Sequence, residues 1–447
     1  MDFDRTVKRL PKDPGETGWN KLLPPAPSAR TLQEDIHADW LIIGAGFAGL
    51  ASARELSRLC PGDKIVLLDA VRVGEGPAGR NSGFMIDLPH DISASSYAGA
   101  EEKDRKQTAM NRLAISFARD AAQEYGLSKE AFNLSGKINA AATESGMRHN
   151  AQYARHLSSM GEEYRFLNAG EMKDMTGTEY YQGGLYTPGT AMIQPAMFVR
   201  AMATGLADKV MIFENSPVTN LKHSGGEWTA RTPTGSVRAP KVILAVNGHV
   251  ENFGFYKRQL MHVFTYASMT SALTTTEVKR LGGIPQWSAT PADPMGTTVR
   301  RISGTGGDRI IVRNRFTYNP GMEVSGERLE AIKRSHVKSF KARFTQIKDT
   351  QMEYTWGGRL CLAWNSVSAF GEIESGLFSA CCQNGVGAAK GTHAGIMAAR
   401  LATRTTDPDL DDLIGQVKPK HLPPEPFAWI GVNTTLRWKE WQAGREL

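Results

Sequence analysis

Residues 39–69 read DWLIIGAGFAGLASARELSRLCPGDKIVLLD, and this stretch decides the fold. Trp40 to Ile43 is a short apolar run of the kind that forms a parallel strand buried on both faces. Gly44, Gly46 and Gly49 follow in G-x-G-x-x-G spacing. A helix opens over them with Leu50, Ala53, Leu56 and Cys60 on one face, and Pro61-Gly62 stops it. Ile65 to Leu68 makes a second buried strand, ending at Asp69. Gly44 permits the tight turn, Gly46 lets the main chain approach a pyrophosphate, and Gly49 lets the helix lie close to the strand. The helix start offers free N–H groups and partial positive charge to phosphate. Asp69, 20 residues beyond Gly49, is placed to accept hydrogen bonds from a ribose diol. A glycine motif alone says little. Set between a strand and a helix, with an acid closing the next strand, it reads as a dinucleotide site.

The rest of the chain is compatible with that reading. At 447 residues, 41% hydrophobic and 22% charged, it has room for two domains and ample core. The net charge of +7 comes from dispersed basic residues, which argues against a nucleic-acid partner and suits an anionic cofactor or acidic substrate. Cys60, Cys361, Cys381 and Cys382 show no C-x-x-C and no metal-ligand spacing, so no metal is expected and a reducing cytoplasm is the simplest compartment. Residues 1–37 lack the apolar core of a targeting segment, and the apolar run at 40–53 is too short to span a bilayer.

Further along, Ala70 to Asp91 is a glycine-rich loop in which Gly74, Gly76, Gly79 and Gly83 allow close main-chain approach to a bound ring or phosphate. Helices are expected at Glu101–Tyr125, Met147–Met160, Pro195–Leu206 and Ser325–Arg343. Lys241 to Val246 is another buried strand, closing on Asn247-Gly248, and returns to the sheet begun by Trp40. Residues 256–276 and 299–317 alternate as strands of a half-exposed antiparallel sheet. Leu377 to Ala402 gives a strand, a Gly385-Val386-Gly387 turn and a helix. Trp19, Leu22 and Leu23 are expected to pin a proline-rich arm, and Trp429, Val432, Leu436 and Trp438 a C-terminal one.

Four segments together resemble the D-amino-acid oxidase-type family of FAD-dependent oxidoreductases: the Gly44 motif, the Gly79-Arg80-Asn81-Ser82-Gly83 loop, the Val242–Gly248 strand and the Gly385 turn. The loop GPAGRNSG looks most like the gamma-glutamylputrescine oxidase branch, beside the glycine and sarcosine oxidases. The resemblance implies α/β plus α+β architecture: a Rossmann-like, glutathione-reductase-like FAD-binding domain and a substrate domain on a mixed or antiparallel sheet. The implied division is an arm at 1–37, an FAD domain from 38–100, 191–252 and 357–404, a substrate domain from 101–190 and 253–356, and a packing arm at 405–447. It further implies that Gly44, Ala45, Gly46, Ala48 and Gly49 hold the FAD pyrophosphate and that Asp69 and Ala70 take the ribose. Arg80, Asn81, Ser82 and Gly83 would line pyrophosphate and flavin edge. Val218 would read adenine through its main chain, or stand as a plain strand valine. Asn247 and Gly248 would lie by the cofactor, and Gly385, Val386 and Gly387 would face the flavin with a helix start.

The chemistry implied is oxidation of a C–N bond in an amine or amino acid, with dioxygen or another electron acceptor. The alternative is a 2-hydroxy-acid oxidase or dehydrogenase of related fold. His90 either favours a neutral amine or braces a loop. Arg309 and Arg313 either clamp a substrate carboxylate or stand as solvated strand-face arginines. Tyr256, Trp356 and Trp364 are candidate aromatic walls. Cys361 lies where some relatives tether flavin. Some oxidases of this family place a lysine over the flavin, and no lysine occurs between Arg309 and Arg315, which tilts the reading toward a dehydrogenase or a slow oxidase.

Overall fold

The computed structural model describes residues 3–90 and 97–447. Its organising element is a six-stranded sheet in the order Met211–Phe213, Ile65–Leu68, Trp40–Ile43, Lys241–Leu244, Leu377–Cys381, Ala369–Glu374. The first five strands run parallel and the last is antiparallel. Trp40–Ile43 sits at its centre and is buried throughout, which explains the unbroken apolar run. Helix Phe47–Leu59 covers one face together with helix Gly387–Thr403. The two helices touch closely: a Cβ on Gly395 would lie 2.1 Å from the Ala48 carbonyl oxygen, and Ser52 Oγ donates to Gly395 O at 2.9 Å. The other face packs on a five-stranded sheet, Phe3–Thr6, Asn220–Ser224, Glu227–Arg231, Ser236–Ala239 and Asp35–His37, through Leu41, Ile43, Leu221, Trp228 and Val237.

An eight-stranded sheet forms the second body, in the order Met352–Ala363, Leu260–Thr270, Arg309–Tyr318, Thr298–Ile302, Trp287–Pro291, Lys137–Ala141, Gly183–Thr187, Arg165–Asn168. Its pairs are antiparallel except Trp287–Pro291 with Lys137–Ala141. Helix Gly326–Arg343 backs it, burying Ile332 and Phe340.

Three expected boundaries move. Strand Met352–Ala363 pairs along Leu260–Thr270, so residues 357–363 belong to the substrate sheet and not to the FAD domain. Helix Glu101–Glu124, assigned to the substrate domain, packs Ile115, Ala118 and Ala121 into the core under Leu50 and Leu56. Its apolar stripe found the nearer apolar surface, which is the helical layer of the nucleotide sheet. The N-terminal segment is more than an arm, because Phe3–Thr6 and Asp35–His37 form both edges of the five-stranded sheet.

Trp19 is fully buried and donates Nε1–H to Asn81 O at 2.9 Å, so it does pin its segment. The C-terminal helix Phe427–Ala443 presses Ala428, Val432 and Leu436 onto the substrate sheet but leaves Trp429 47% and Trp438 57% exposed. Those two tryptophans therefore do not anchor it. Glu440 does, through Arg315 at 2.8 Å, and so does Glu446, whose Oε1 accepts from the Ala142 and Thr143 N–H groups at 2.8 and 3.0 Å.

Candidate active site

One continuous cavity of about 350 Å³ runs between the two sheets, from Gly44 and Val218 at one end to His90 and Arg313 at the other. Its first end is made of main chain. Gly44 turns at φ +105°, and a Cβ there would lie 2.6 Å from Ala245 O. A Cβ on Gly49 would stand 1.7 Å from Gly44 O, so only glycine lets helix Phe47–Leu59 start this close to its strand. Gly46, Phe47 and Ala48 line the cavity at the helix start. That start has no side-chain cap and no acid in its first turn. Asp69 closes the end: it accepts from Ala45 N–H at 2.7 Å and Val71 N–H at 2.9 Å, which fixes the carboxylate toward the cavity. Burial raises Asp69 to about 6, against those two stabilising bonds.

The middle is the glycine loop. Asn81 staples it, Nδ2 donating to Ala78 O at 2.7 Å and Oδ1 accepting from Gly83 N–H at 2.8 Å. Arg80 lines the cavity, but its guanidinium is committed to main-chain carbonyls of Pro14, Gly15 and Gly357, and so ties the N-terminal segment down. Its main chain is committed as well, the N–H donating to Pro77 O at 3.1 Å and the carbonyl accepting from Trp356 Nε1–H at 2.9 Å, so Arg80 shapes the wall and is not a free pyrophosphate donor.

The second helix start lies opposite. Cys382, Asn384, Gly385 and Val386 all take positive φ, at 55°, 55°, 82° and 49°. For the β-branched Val386 this is strained backbone, of a kind that costs on the order of 1–3 kcal/mol and is held only by its surroundings. The holders are two asparagines. Asn247 Oδ1 accepts from Cys382 N–H at 3.1 Å, and Asn384 Oδ1 accepts from Ala363 N–H at 2.6 Å. Helix Gly387–Thr403 then opens onto the cavity, again without a side-chain cap or an early acid. By contrast Thr17, Thr143, Asn168, Gln194, Thr274, Ser325 and Asp407 cap their own helices. Two uncapped helix starts facing one cavity leave N–H groups for an electronegative guest at both ends.

At the far end His90 stacks on Tyr97, ring centroids 4.1 Å apart, and Tyr97 O–H donates to Pro291 O at 2.8 Å. Arg313 lies over the Phe316 ring at 4.7 Å, and no carboxylate among the described residues pairs with it. Burial brings Arg313 down to about 10. Burial, with Lys137, Arg313 and Lys390 nearby, holds His90 well below its ordinary range, so the imidazole is neutral.

The cavity thus gathers Gly44, Ala45, Gly46, Ala48, Asp69, Ala70, Arg80, Asn81, Ser82, His90, Val218, Asn247, Gly248, Arg313, Gly385, Val386 and Gly387. It omits three expected residues. Gly49 acts behind the wall, as above. Gly83 faces away, where a Cβ would meet Arg300 and Ile193 O. Arg309 stands at the far end of its strand, donating to Gly306 O and Thr270 O and paired with Glu353. Four residues of extended chain, about 13 Å, separate it from Arg313, so one strand cannot bring both to one carboxylate. The expected aromatic walls are also elsewhere. Trp356 is buried against Trp19, Trp364 is 61% exposed, and Tyr256 packs beneath the nucleotide sheet. Phe84, Tyr97, Tyr266 and Phe316 line the cavity instead, from segments with no sequence signal for it. Cys361 does reach the cavity. Contact with Cys382 and burial push its thiol well up, so it is not a ready thiolate.

Residues 39–401 match the sequence model of the DAO family, described as FAD dependent oxidoreductase. The chain belongs to that family. It is 25% identical to the probable oxidoreductase OrdL of Haemophilus influenzae over 374 residues, 81% of this chain and 82% of that protein. It is 22% identical to the gamma-glutamylputrescine oxidoreductase of Escherichia coli over 355 residues, 78% and 79% of the two chains. Its fold superposes on glycine oxidase from Geobacillus kaustophilus with a TM-score of 0.70 at 17% identity, covering 87% of this chain and 100% of that one. This DAO-family oxidoreductase is FAD-dependent, and the residues present fit the cofactor. The glycine turn and the uncapped helix starts would offer donors to its phosphates, and the fixed Asp69 carboxylate would offer an acceptor to its ribose. Among the described residues no helix is long and apolar enough to cross a membrane, and no cluster of His, Cys, Asp or Glu could hold a metal.

Proposed function

We propose that the chain oxidises a C–N bond in an amine or amino acid that carries a carboxylate, with Arg313 as the group that holds the carboxylate. Bound FAD supplies the acceptor for the hydride that leaves the carbon beside nitrogen. The observation that carries the reading is Arg313 itself: a cation facing the far end of the cavity with no protein carboxylate to answer it among the described residues. A half-buried guanidinium with no counter-charge is poorly satisfied, and a planar carboxylate answers it bidentately.

The same surroundings favour the reactive form of the amine. Burial first, and then Lys137, Arg313 and Lys390, keep His90 neutral, and the same burial and charges disfavour an ammonium group. Neutral His90 is then able to accept a hydrogen bond from the amine. Tyr97, Phe316 and Thr290 wall this end and limit water around the reacting carbon. The oxidised product is an imine, which water converts to a carbonyl compound plus ammonia or an amine. The electrons leave to dioxygen or another acceptor. The Arg309–Arg315 strand carries no lysine, but Lys137 and Lys390 act on His90 at this end, so the missing lysine does not decide between an oxidase and a dehydrogenase. All four cysteines are free thiols, in keeping with a reducing compartment, and we place the protein in the cytoplasm.

The relatives, gamma-glutamylputrescine oxidoreductase and glycine oxidase by name, support an amine or amino acid and lend nothing to the 2-hydroxy-acid alternative. Anaerobic mixing of the yellow protein with a panel of amines, amino acids, N-methylated acids and 2-hydroxy acids tests it. Bleaching by carboxylate-bearing amines is expected. Bleaching by hydroxy acids alone, with no ammonia or amine released, overturns it.

A further inference from the structure

A second cavity, of about 200 Å³, opens on the same face of the eight-stranded sheet. The alternation of side chains places it. Thr290 and Thr298 line the first cavity, while Ser288 and Arg300, two residues along the same strands, line the second. Lys137 lines the second space and Thr290 the first, and the Asn139 side chain joins the two. Lys137 Nζ donates to Asn139 Oδ1 and to Thr290 Oγ1 at 3.4 Å, and Thr290 Oγ1 donates to Asn139 Oδ1 at 2.7 Å.

The chemistry of this cavity is one-sided. Lys137 is 2% exposed and Arg300 7%, and neither has a carboxylate partner among the described residues. Arg300 Nη1 donates to the main-chain oxygens of Ser82 and Ile193, and its plane lies against the rings of Trp19 and Phe84. Its Nε–H and the Nδ2 of Asn139 are buried with no acceptor. Lys129 and Arg301 add two more cations to the wall, of which Arg301 meets Asp308 at 3.5 Å. Glu130 is the one carboxylate in the lining, and its Oε2 is occupied by the Thr305 N–H and hydroxyl, at 3.1 and 2.9 Å. Burial draws Lys137 down to about 8 and Arg300 to about 9.

Lone buried cations and orphaned donors are each destabilising, and a chain seldom keeps several together without a guest to answer them. The cofactor phosphates do not answer these, because the glycine turn and Asp69 face the other cavity. The remaining lining is mixed: Gln286, Ser288 and Ser135 beside Ile138, Met175 and Ile284. That suits a small organic anion better than a bare oxyanion.

We propose that this second cavity is a binding site for a small carboxylate, held by Lys137 and Arg300. The carboxylate has two possible sources. One is the far end of an elongated amine that reaches past Thr290 while its nitrogen lies near His90. The other is a free carboxylate that binds separately.

Calorimetric titration of the flavoprotein with sodium glutarate, against sodium chloride at equal ionic strength, tests the site without any turnover. Saturable binding to glutarate and none to chloride is expected. Lys137→Met keeps the Thr290–Asn139 bond and the side-chain volume, and should weaken glutarate about tenfold or more. Ser288→Asp places a fixed carboxylate in the cavity and should abolish binding, with flavin content unchanged in both. Glutarate that also raises the half-saturating concentration of a bleaching amine identifies the substrate's own far carboxylate. Glutarate that binds without competing identifies a free ligand. No saturable heat above chloride, or equal binding in both flavin-loaded variants, overturns the proposal. Because glutarate binding is read directly, it stands or falls apart from the amine-oxidation reading.

Discussion

The two ends of the main cavity are built on opposite principles. At the dinucleotide end the working groups are main-chain N–H donors, a glycine turn and one carboxylate, all within residues 44–69 and repeated in kind at 385–387. At the far end, where we propose that substrate binds, the lining is side chains: His90, Tyr97, Thr290, Arg313 and Phe316, from separated strands and loops. Main-chain recognition tolerates almost any side chain except where a Cβ would collide, so it survives as a short motif. Side-chain recognition depends on which strands the fold sets side by side. The first end should therefore fail through shape, and the second through charge.

The largest effect is expected from Gly49→Val. With a Cβ 1.7 Å from Gly44 O, the helix must move away from its strand. Flavin absorbance per protein should fall at least about tenfold, and far less soluble protein should be recovered. Retention of full flavin content would show that the turn is not what grips the cofactor.

Arg313→Ala should leave flavin content intact and raise the half-saturating concentration of a carboxylate-bearing amine by about 100-fold, the loss of a bidentate charged pair. Amines without a carboxylate should be nearly unaffected, and Arg313→Lys should recover part of the loss. Equal loss for both amine classes would make Arg313 a structural residue.

Asp69 joins shape and charge. Its carboxyl is raised to about 6 in the folded protein, against roughly 4 in an unfolded chain. The folded state then binds the extra proton between those values, so the flavin-stripped protein loses stability as pH rises from about 4 to about 6. Asp69→Asn should remove that slope, read by urea unfolding of the stripped protein between about pH 4 and 7.5. It should weaken FAD about tenfold through the lost ribose acceptor. An unchanged slope in the variant would assign the pH dependence to other groups.

His90→Gln is expected to be the mildest. The imidazole is neutral across the working range, so the pH profile of anaerobic flavin reduction between 5 and 8 should keep its inflections. Loss of an inflection near 6.5 would mean that His90 titrates in the working enzyme.

The same division governs what could be read without coordinates. The central strands, the first helix and the Gly385 helix were legible because each is a local pattern: a buried apolar run, a 3.6-residue stripe, a glycine stop. Strand Met352–Ala363 was not, since its two central glycines, Gly357 and Gly358, break any alternation and its pairing with Leu260–Thr270 lies about ninety residues away in the chain. Arg309 and Arg313 looked equivalent from period-two alternation, which predicts a face but not a position along it.

By itself, then, the amino-acid sequence determined the dinucleotide fold and its cofactor class, because both depend on main-chain geometry that a few glycines and one aspartate dictate within thirty-one residues. Only the tertiary structure decided which of two arginines lines the main cavity, which aromatics wall it, and that Lys137 and Arg300 share a second one. Those outcomes depend on strand register across the eight-stranded sheet, set by packing between residues far apart in the chain.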